Sequence, residues 1–335
     1  MKKKVSLKDI AQKVGVSIAL VSYVLNNKKE GRINKDVALK IKDTAKQLNY
    51  KTNQIAKSLK TNKTYTIGLV VSDISNPFSS SLARIIEDEA NKNNYTVIFG
   101  SSDEDANKSL KLIDTFLNKQ VDGLIIAAAE NTASQIQYLQ EEGIPFVLID
   151  RYFPELKTSF IALDNYKAAY EAVEHLIKKS YKRIALINYK STLFNLNERR
   201  KGYVAALKEH NIEIKRSWVK EICFNNSKAS VEKTMSELLS LKEPVDAILF
   251  SANTLAVDGL KYINKHNIKI PEQLAVISFD ESDALDLFHP QLTYIKQPLQ
   301  QMGETATKLL LENIEKNNKI MQVKMDGELV VRNST

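Results

Sequence analysis

Seven polar side chains stand at or just beyond the ends of short apolar runs, and they are the residues of this 335-residue chain best placed to do chemistry. Asp73 and Asn76 follow "YTIGLVVS", Asp150 and Arg151 follow "PFVLI", Asn188 ends "KRIALIN", Asn253 follows "AILFSA" and Asp280 follows "LAVISF". Carboxylates, amides and a guanidinium offer paired donors and acceptors, the complement of adjacent hydroxyl groups on a small ligand. Asp150 and Asp280 would also serve as a general acid and base, but their spacing does not favour proton transfer over hydroxyl binding. Four histidines and the single Cys223 form no HExxH or paired CxxC spacing, so a metal centre is not expected. No GxGxxG or GxxxxGK follows any apolar run, which leaves nucleotide-cofactor and P-loop enzymes without support. The expectation is a binding protein with no cofactor, not an enzyme.

The elements that must hold these groups follow from the alternation of the apolar runs with amphipathic segments from Tyr65 onward. "YTIGLVVS", "YTVIFG", "VDGLIIAAA", "PFVLID", "KRIALIN", "VDAILFS" and "LAVISFD" read as buried parallel strands, and the segments between them suit helices of βαβ units. So many strands over this length fill two sheets. Ligands bind beyond the carboxyl ends of strands in such sheets, so the polar residues converge on a cleft if two sheets face one another. Taken one at a time, each could instead be a cap for the next helix.

Charge separates this body from what precedes it. Residues 1–63 hold 16 Lys and Arg against 4 Asp and Glu, and the rest of the chain holds 32 against 36. A basic segment beside a mildly acidic body suggests a polyanionic partner, although a solvated lysine-rich face would give the same count. Ser6 and Asp9 make a capping box for a helix through "LKDIAQKV", with Leu7, Ile10, Ala11 and Val14 inward and Gly15 ending it. Ser17 caps a second helix after so short a turn that the two must cross steeply, a helix-turn-helix. Asn34 caps a third, with Val37, Ile41, Ala45 and Leu48 covering the first two. The second helix buries Val21, Val24 and Leu25, which points Ser17, Ile18, Ala19, Ser22 and Tyr23 outward, where small and apolar groups can meet thymine methyls in a major groove. Lys2 to Lys4 are followed by "VSLKDIAQKV" in place of an apolar signal core, and no run of 18 apolar residues occurs. A cytoplasmic protein without membrane association is expected.

"LKDIAQKVGVS…VSYVLN" followed by "LNYKTNQIAKSLKTNKTYTIGLVVSDISNPF" resembles the lac-repressor family of bacterial transcription regulators, over essentially the whole chain. The resemblance implies a helix-turn-helix domain over residues 1–52, a hinge helix and linker over 53–63, and a two-lobed α/β domain over 64–335. The fold class is thus multi-domain, a small all-α DNA-binding domain plus a two-lobed α/β periplasmic-binding-protein-like domain of type I. It also implies that Leu20, Asn26, Tyr50, Asn53, Ala56, Lys57 and Leu59 join Ser6, Ser17, Ile18, Ala19, Ser22, Tyr23 and Asn34 at the DNA. The apolar side chain of Leu59 would part the central step of the site, and the physics of kinking a flexible step agrees with this. Two departures bear on which operator is read: Ile18-Ala19-Leu20 where the family has smaller residues, and Tyr23 at a position often Arg or His. The operator sequence therefore does not carry over from the family, and a lost Arg removes the commonest bidentate guanine contact.

The body is also similar to periplasmic ribose-type sugar-binding proteins. On that resemblance "SNPF" places Asn76 and sets Phe78 against a sugar ring, "LIDR" places Asp150 and Arg151, "ERRKGY" places Arg199, "SFDE" places Asp280 and "IKQP" places Gln297. Asn253 joins them under either alignment of its neighbourhood. The expected effector is a monosaccharide or sugar derivative, with a purine corepressor as the alternative, and the expected partners are palindromic double-stranded operator DNA and a second copy in a homodimer. The helix "NPFSSSLARIIEDEANK" is a candidate interface, though its Leu82, Ile85 and Ile86 also suit a core. A sugar-transport binding protein would share this body but not the basic N-terminal bundle.

Overall fold

Ser6 and Asp9 begin the first helix as their spacing dictates. In a computed structural model that describes residues 5–26, 32–50, 63–315 and 319–335, the Ser6 hydroxyl accepts from the Asp9 amide and the Asp9 carboxylate accepts from the Ser6 amide at 2.7 Å. Helix α1 (Leu7–Val14) then stops at Gly15, whose φ of +78° is a conformation that a Cβ would strain, while its amide closes on Ala11. Helix α2 (Ile18–Leu25) is capped by Ser17, and α3 (Lys35–Gln47) by Asn34, whose side chain accepts from the amides of Asp36 and Val37. Ile10, Ala11, Val21, Val24, Ile41 and Ala45 are the buried core of this bundle; Leu7, Val14, Leu25, Val37 and Leu48 pack around it half-buried.

The chain divides into two compact units, Met1–Thr64 and Tyr65–Thr335. The second holds two six-stranded sheets. The first comprises β1 (Thr66–Val71), β2 (Thr96–Ser101), β3 (Gly123–Ile126), β4 (Phe146–Ile149), β5 (Phe160–Leu163) and β11 (Gln322–Met325), in the order β11-β5-β4-β3-β1-β2 and parallel throughout. The other repeats that order with β6 (Ile184–Tyr189), β7 (Val219–Ile222), β8 (Ala247–Phe250), β9 (Ala275–Phe279), β10 (Thr293–Lys296) and β12 (Glu328–Val330), the last antiparallel.

Helices cover both faces of each sheet, which is why β3, β5, β6, β8 and β9 are fully buried and apolar apart from Asn188 in β6 and Ser278 in β9. The first sheet carries α4 (Pro77–Lys92) and α12 (Leu299–Ile314) on one face, and α5 (Ala106–Asn118) and α6 (Ala133–Glu141) on the other. The second carries α7 (Asn165–Lys178) and α8 (Phe194–Glu209) on one face, and α9 (Ser227–Leu239) and α10 (Asn253–Lys265) on the other. The chain passes between the lobes three times: from β5 into α7, from β10 into α12, and from β11 into β12. Within α4, Leu82 and Ile86 are buried in the core of the first lobe and Ile85 packs half-buried against Gly303, so this apolar stripe is core.

Candidate functional site

The two lobes bring equivalent strand ends together. Asp150 follows β4 and Asp280 follows β9, strands that hold the same place in the two sheets, and both residues turn into the left-handed region with φ of +66° and +70°. That conformation is uncommon for a residue with a side chain, though Asp tolerates it better than most. Each carboxyl is buried where its strand stops. Around them runs a small cavity of about 100 Å3 lined from the first lobe by Asn76, Phe78 and Arg151 and from the second by Arg199, Tyr189 and Phe224. Gln297, in the crossing from β10 to α12, lines it as well.

The electrostatics follow from burial. Burial pushes the Asp150 carboxyl above the ordinary carboxylate range, Asp280 and Glu104 add to the rise, and the guanidinia of Arg151 and Arg199 oppose it. Burial raises Asp280 too, against the pull of Arg199 and the hydrogen bond from Gln297, whose amide donates to it at 2.6 Å. Arg151 is held by a two-pronged pair with Glu104 at 2.6 and 2.7 Å, and its Nε stands 3.4 Å from Asp150. Burial works against its charge, but Glu104 and Asp150 more than offset that and raise its pKa further. For Arg199 burial prevails and lowers the pKa, although Asp280 and Asp150 face it. Its Nε donates to Asn165 at 2.7 Å, another of its nitrogens donates to the carbonyl of Ser251, and its guanidinium lies 3.9 Å over the Phe279 ring.

Arg199 reaches this place because Gly202 lets α8 lie directly on α7: a Cβ there would stand 2.2 Å from the Tyr166 carbonyl oxygen. Asn76 caps α4, accepting from the Phe78 amide at 3.0 Å, and it also accepts across the cleft from Asn253 at 2.9 Å.

Seven of the eight effector residues expected from the sequence therefore line one cavity, and Asn253 adjoins it between Ala252 and Thr254. Asn188 does not join them. It is buried and spans the Tyr189 amide and the Leu196 carbonyl, so it shapes the entry to α8. Tyr189, Phe224, Glu104 and Asn195 line the cavity without having been expected. Tyr189 and Phe224 stack at 4.1 Å and 14°, and the Tyr189 hydroxyl meets Thr254 at 2.8 Å, making an aromatic wall in the second lobe.

On the N-terminal bundle, Ser17, Ile18 and Ala19 are exposed while Ser22 and Tyr23 are half-buried. Ile18 keeps 47% of its surface. Leu20, expected at the DNA, is half-buried against the bundle core, because it falls one residue before Val21 on the inward side of α2. Tyr50 also packs on that core, and burial raises its pKa. Asn26 closes the end of α2 by donating to the Ser22 carbonyl at 2.7 Å. Ser6, Ser17 and Asn34 are helix caps, and such termini also suit phosphate. Asn53, Ala56, Lys57 and Leu59 lie outside the described residues.

A three-helix bundle with an exposed helix face, joined to a two-lobed α/β body with a polar cleft, defines a DNA-binding protein that carries a small-molecule receptor. Residues 6–53 match the family model "Bacterial regulatory proteins, lacI family", and residues 64–326 match "Periplasmic binding proteins and sugar binding domain of LacI family". The chain belongs to the LacI family of bacterial regulatory proteins, and it is a transcriptional regulator, not an enzyme. It is 33% identical to the HTH-type transcriptional regulator RegA of Clostridium acetobutylicum over 334 residues, 98% of each chain. A LacI family transcriptional regulator from Enterococcus faecium with bound ribose is 28% identical, with a TM-score of 0.71 over 81% of this chain and 98% of that one. The lac repressor dimer bound to operator and the anti-inducer ONPF shares the fold at a TM-score of 0.87 and 20% identity, over 99% of both chains. DNA-binding regulators of this family are cytoplasmic. Among the described residues no helix is long and apolar enough to cross a membrane.

Proposed function

We propose that this regulator binds palindromic operator DNA as a homodimer and that a polyhydroxylated ligand, a monosaccharide or close derivative, sets its affinity for that DNA from the cleft between the lobes. The observation that carries the reading is the ring of buried Asp150, Arg199, Asp280 and Gln297 beside Phe78. Charges are buried in a protein only when they are paired or used, and here Gln297 Oε1 and Asn195 Oδ1 are buried with no partner. Hydroxyl groups of a sugar supply what these atoms lack, and the flat Phe78 ring suits the C–H face of a pyranose or furanose.

Ser17, Ile18, Ala19, Ser22 and Tyr23 form the reading face in this proposal, with the helix caps Ser6 and Asn34 against phosphate. One such helix makes few base contacts, and a two-fold pair doubles them on a palindrome, which is the argument for a dimer. A ligand that prefers the lobes in one relation shifts the DNA affinity only through that preference. The test is Arg199→Ala, measured by operator titration with and without a panel of monosaccharides. The response to the sugar should vanish while operator binding persists; an unchanged sugar response would overturn the assignment of the cleft.

A further inference from the structure

A second cavity, of about 490 Å3, shares Phe78, Asp280 and Gln297 with the inner one. Its other walls are Pro77 and Ser81 at the start of α4, Leu299 at the start of α12, and Glu281, Ser282, Asp283 and Ala284 leading into α11 (Asp283–Leu287). The inner cavity alone is smaller than ligand sites usually are, whereas the outer one lies within their ordinary range of about 300–1,000 Å3. A ligand of useful affinity has reason to fill both.

The charges along this path have one sign in excess. The inner cavity is lined by four carboxylates, Asp73, Glu104, Asp150 and Asp280, against the two guanidinia of Arg151 and Arg199. Glu104 already engages two nitrogens of Arg151, and Arg199 is committed to Asn165 and the Ser251 carbonyl. The outer cavity adds Glu281 and Asp283 and, among the described residues, has no basic side chain in its lining. Lys296 stands near but is bonded to Glu281 at 3.1 Å.

The unpartnered atoms carry the same message independently. Gln297 Oε1 and Asn195 Oδ1 line the inner cavity, are buried, and both are acceptors. The Gln297 orientation is fixed by its neighbour: turning the amide would set Oε1 against the Asp280 carboxylate that its Nε2 now contacts at 2.6 Å. These two acceptors ask for donors; Arg151 Nε, also buried without a hydrogen-bond partner, stands 3.4 Å from Asp150, and the excess of carboxylates asks for positive charge.

We propose that the effector is an amine-bearing polyol, an amino sugar or aminated glycoside, with its ring against Phe78 and Arg199 and its ammonium group in the outer cavity among Asp280, Glu281 and Asp283, and that phosphorylated sugars are rejected. This rests on the sugar reading of the cleft. A phosphate entering here would meet more carboxylates than guanidinia, and one of the two guanidinia, Arg151, is already paired with Glu104. An ammonium group meets acceptors on several sides without displacing the Arg151–Glu104 pair.

The test is calorimetry on the full chain with glucose, glucosamine and glucose 6-phosphate, then galactose, galactosamine and galactose 6-phosphate. In any series that registers binding, the amine is expected to bind about tenfold more tightly than its parent and the phosphate at least about tenfold more weakly. Asp283→Asn should reduce the advantage of the amine over its parent sugar by about fivefold, the size expected of one partly solvated ion pair. A phosphate that binds as well as its parent, or an amine that binds no better, overturns this proposal and leaves the sugar reading standing. Binding by none of the six, with the operator response to the monosaccharide panel also unchanged in Arg199→Ala, overturns the sugar reading itself.

Discussion

Glu130 of the first lobe accepts three hydrogen bonds from the loop that follows β6 in the second: from the Thr192 amide at 2.7 Å, the Thr192 hydroxyl at 2.6 Å and the Ser191 hydroxyl at 3.1 Å. Together with the contact from Asn253 to Asn76 it ties one rim of the cleft to the other. Opening the lobes returns these donors to water, so Glu130 favours the closed relation while contributing little to either lobe alone. Glu130→Gln is expected to weaken ligand binding about fivefold, the effect of a rim interaction in partial contact with solvent, with no change in the melting of the body. Burial alone would raise the Glu130 carboxyl, but the donors from Thr192 and Ser191, with Arg151 nearby, outweigh it and hold the pKa below the ordinary glutamate range. A lowered carboxyl favours the closed state above the ordinary glutamate value and loses that influence as pH falls through its own lowered value. The affinities of the variant and the parent should converge in acid; a gap that stayed constant with pH would remove the latch.

Asp150 is the opposite case. Its pKa is raised, chiefly by burial, so the closed cavity holds its proton more tightly than the unfolded chain does. As pH rises from the ordinary carboxylate range through the raised value, ionising Asp150 costs stability, and the cost is complete once the group is ionised. Asp150→Asn removes the charge but keeps the shape, and Arg151 remains paired with Glu104. The ligand-free variant should be more stable near neutral pH by about 1 kcal/mol, the usual scale of a stability cost carried for function, and should bind ligand poorly. Thermal melts across the acid range check the sign: the gain should shrink as pH falls through the raised value and vanish only below about pH 3, where Asp is protonated in the unfolded chain as well.

Gly202 sets how closely α8 approaches α7. An added methyl group would lie 2.2 Å from the Tyr166 carbonyl oxygen and 2.9 Å from the Tyr170 amide nitrogen, both backbone atoms that cannot rotate aside. Gly202→Ala should therefore destabilise the body by about 3 kcal/mol and draw Arg199 away from Asn165. Gly143→Ala is the control: its φ is +66° but no atom lies within 4 Å of the new methyl group, so only the backbone penalty of about 1 kcal/mol applies. Equal losses in chemical denaturation would show that helix approach is not what Gly202 secures.

How legible the fold was depended on where each strand lies in its sheet. The strands buried on both faces, such as β1, β3, β6, β8 and β9, wrote continuous apolar runs into the sequence. The outer strands β7, β11 and β12 are half exposed and read as "VKEI", "QVKM" and "ELV", which no apolar rule distinguishes from a loop. The cleft followed the same logic. Asp150 and Asp280 were visible because a charged residue ends an apolar strand, whereas Glu104 is brought to the cavity with Arg151, 47 positions away, as its partner. Tyr189 and Phe224 belong to the core packing of the second lobe as well as to the cavity wall, and no motif singled them out.

Ile18 offers the sharpest test of the reading face. It leads α2 directly after the Ser17 cap, is 47% exposed, and sits in a helix with no charged residue among "IALVSYVL". Nothing in the bundle core requires it, since Val21 and Val24 do the packing. Its role at the operator would be contact with a thymine methyl group, which is a matter of base identity and not of charge. Ile18→Ser should then leave the fold and non-specific DNA affinity unchanged, cost about 1–3 kcal/mol at the preferred operator as a lost base contact does, and preserve the slope of affinity against salt. Competition titrations at two salt concentrations, with the selected operator and a scrambled duplex, separate these quantities. An equal loss on both duplexes would assign Ile18 to the bundle's stability and move the reading face elsewhere on α2.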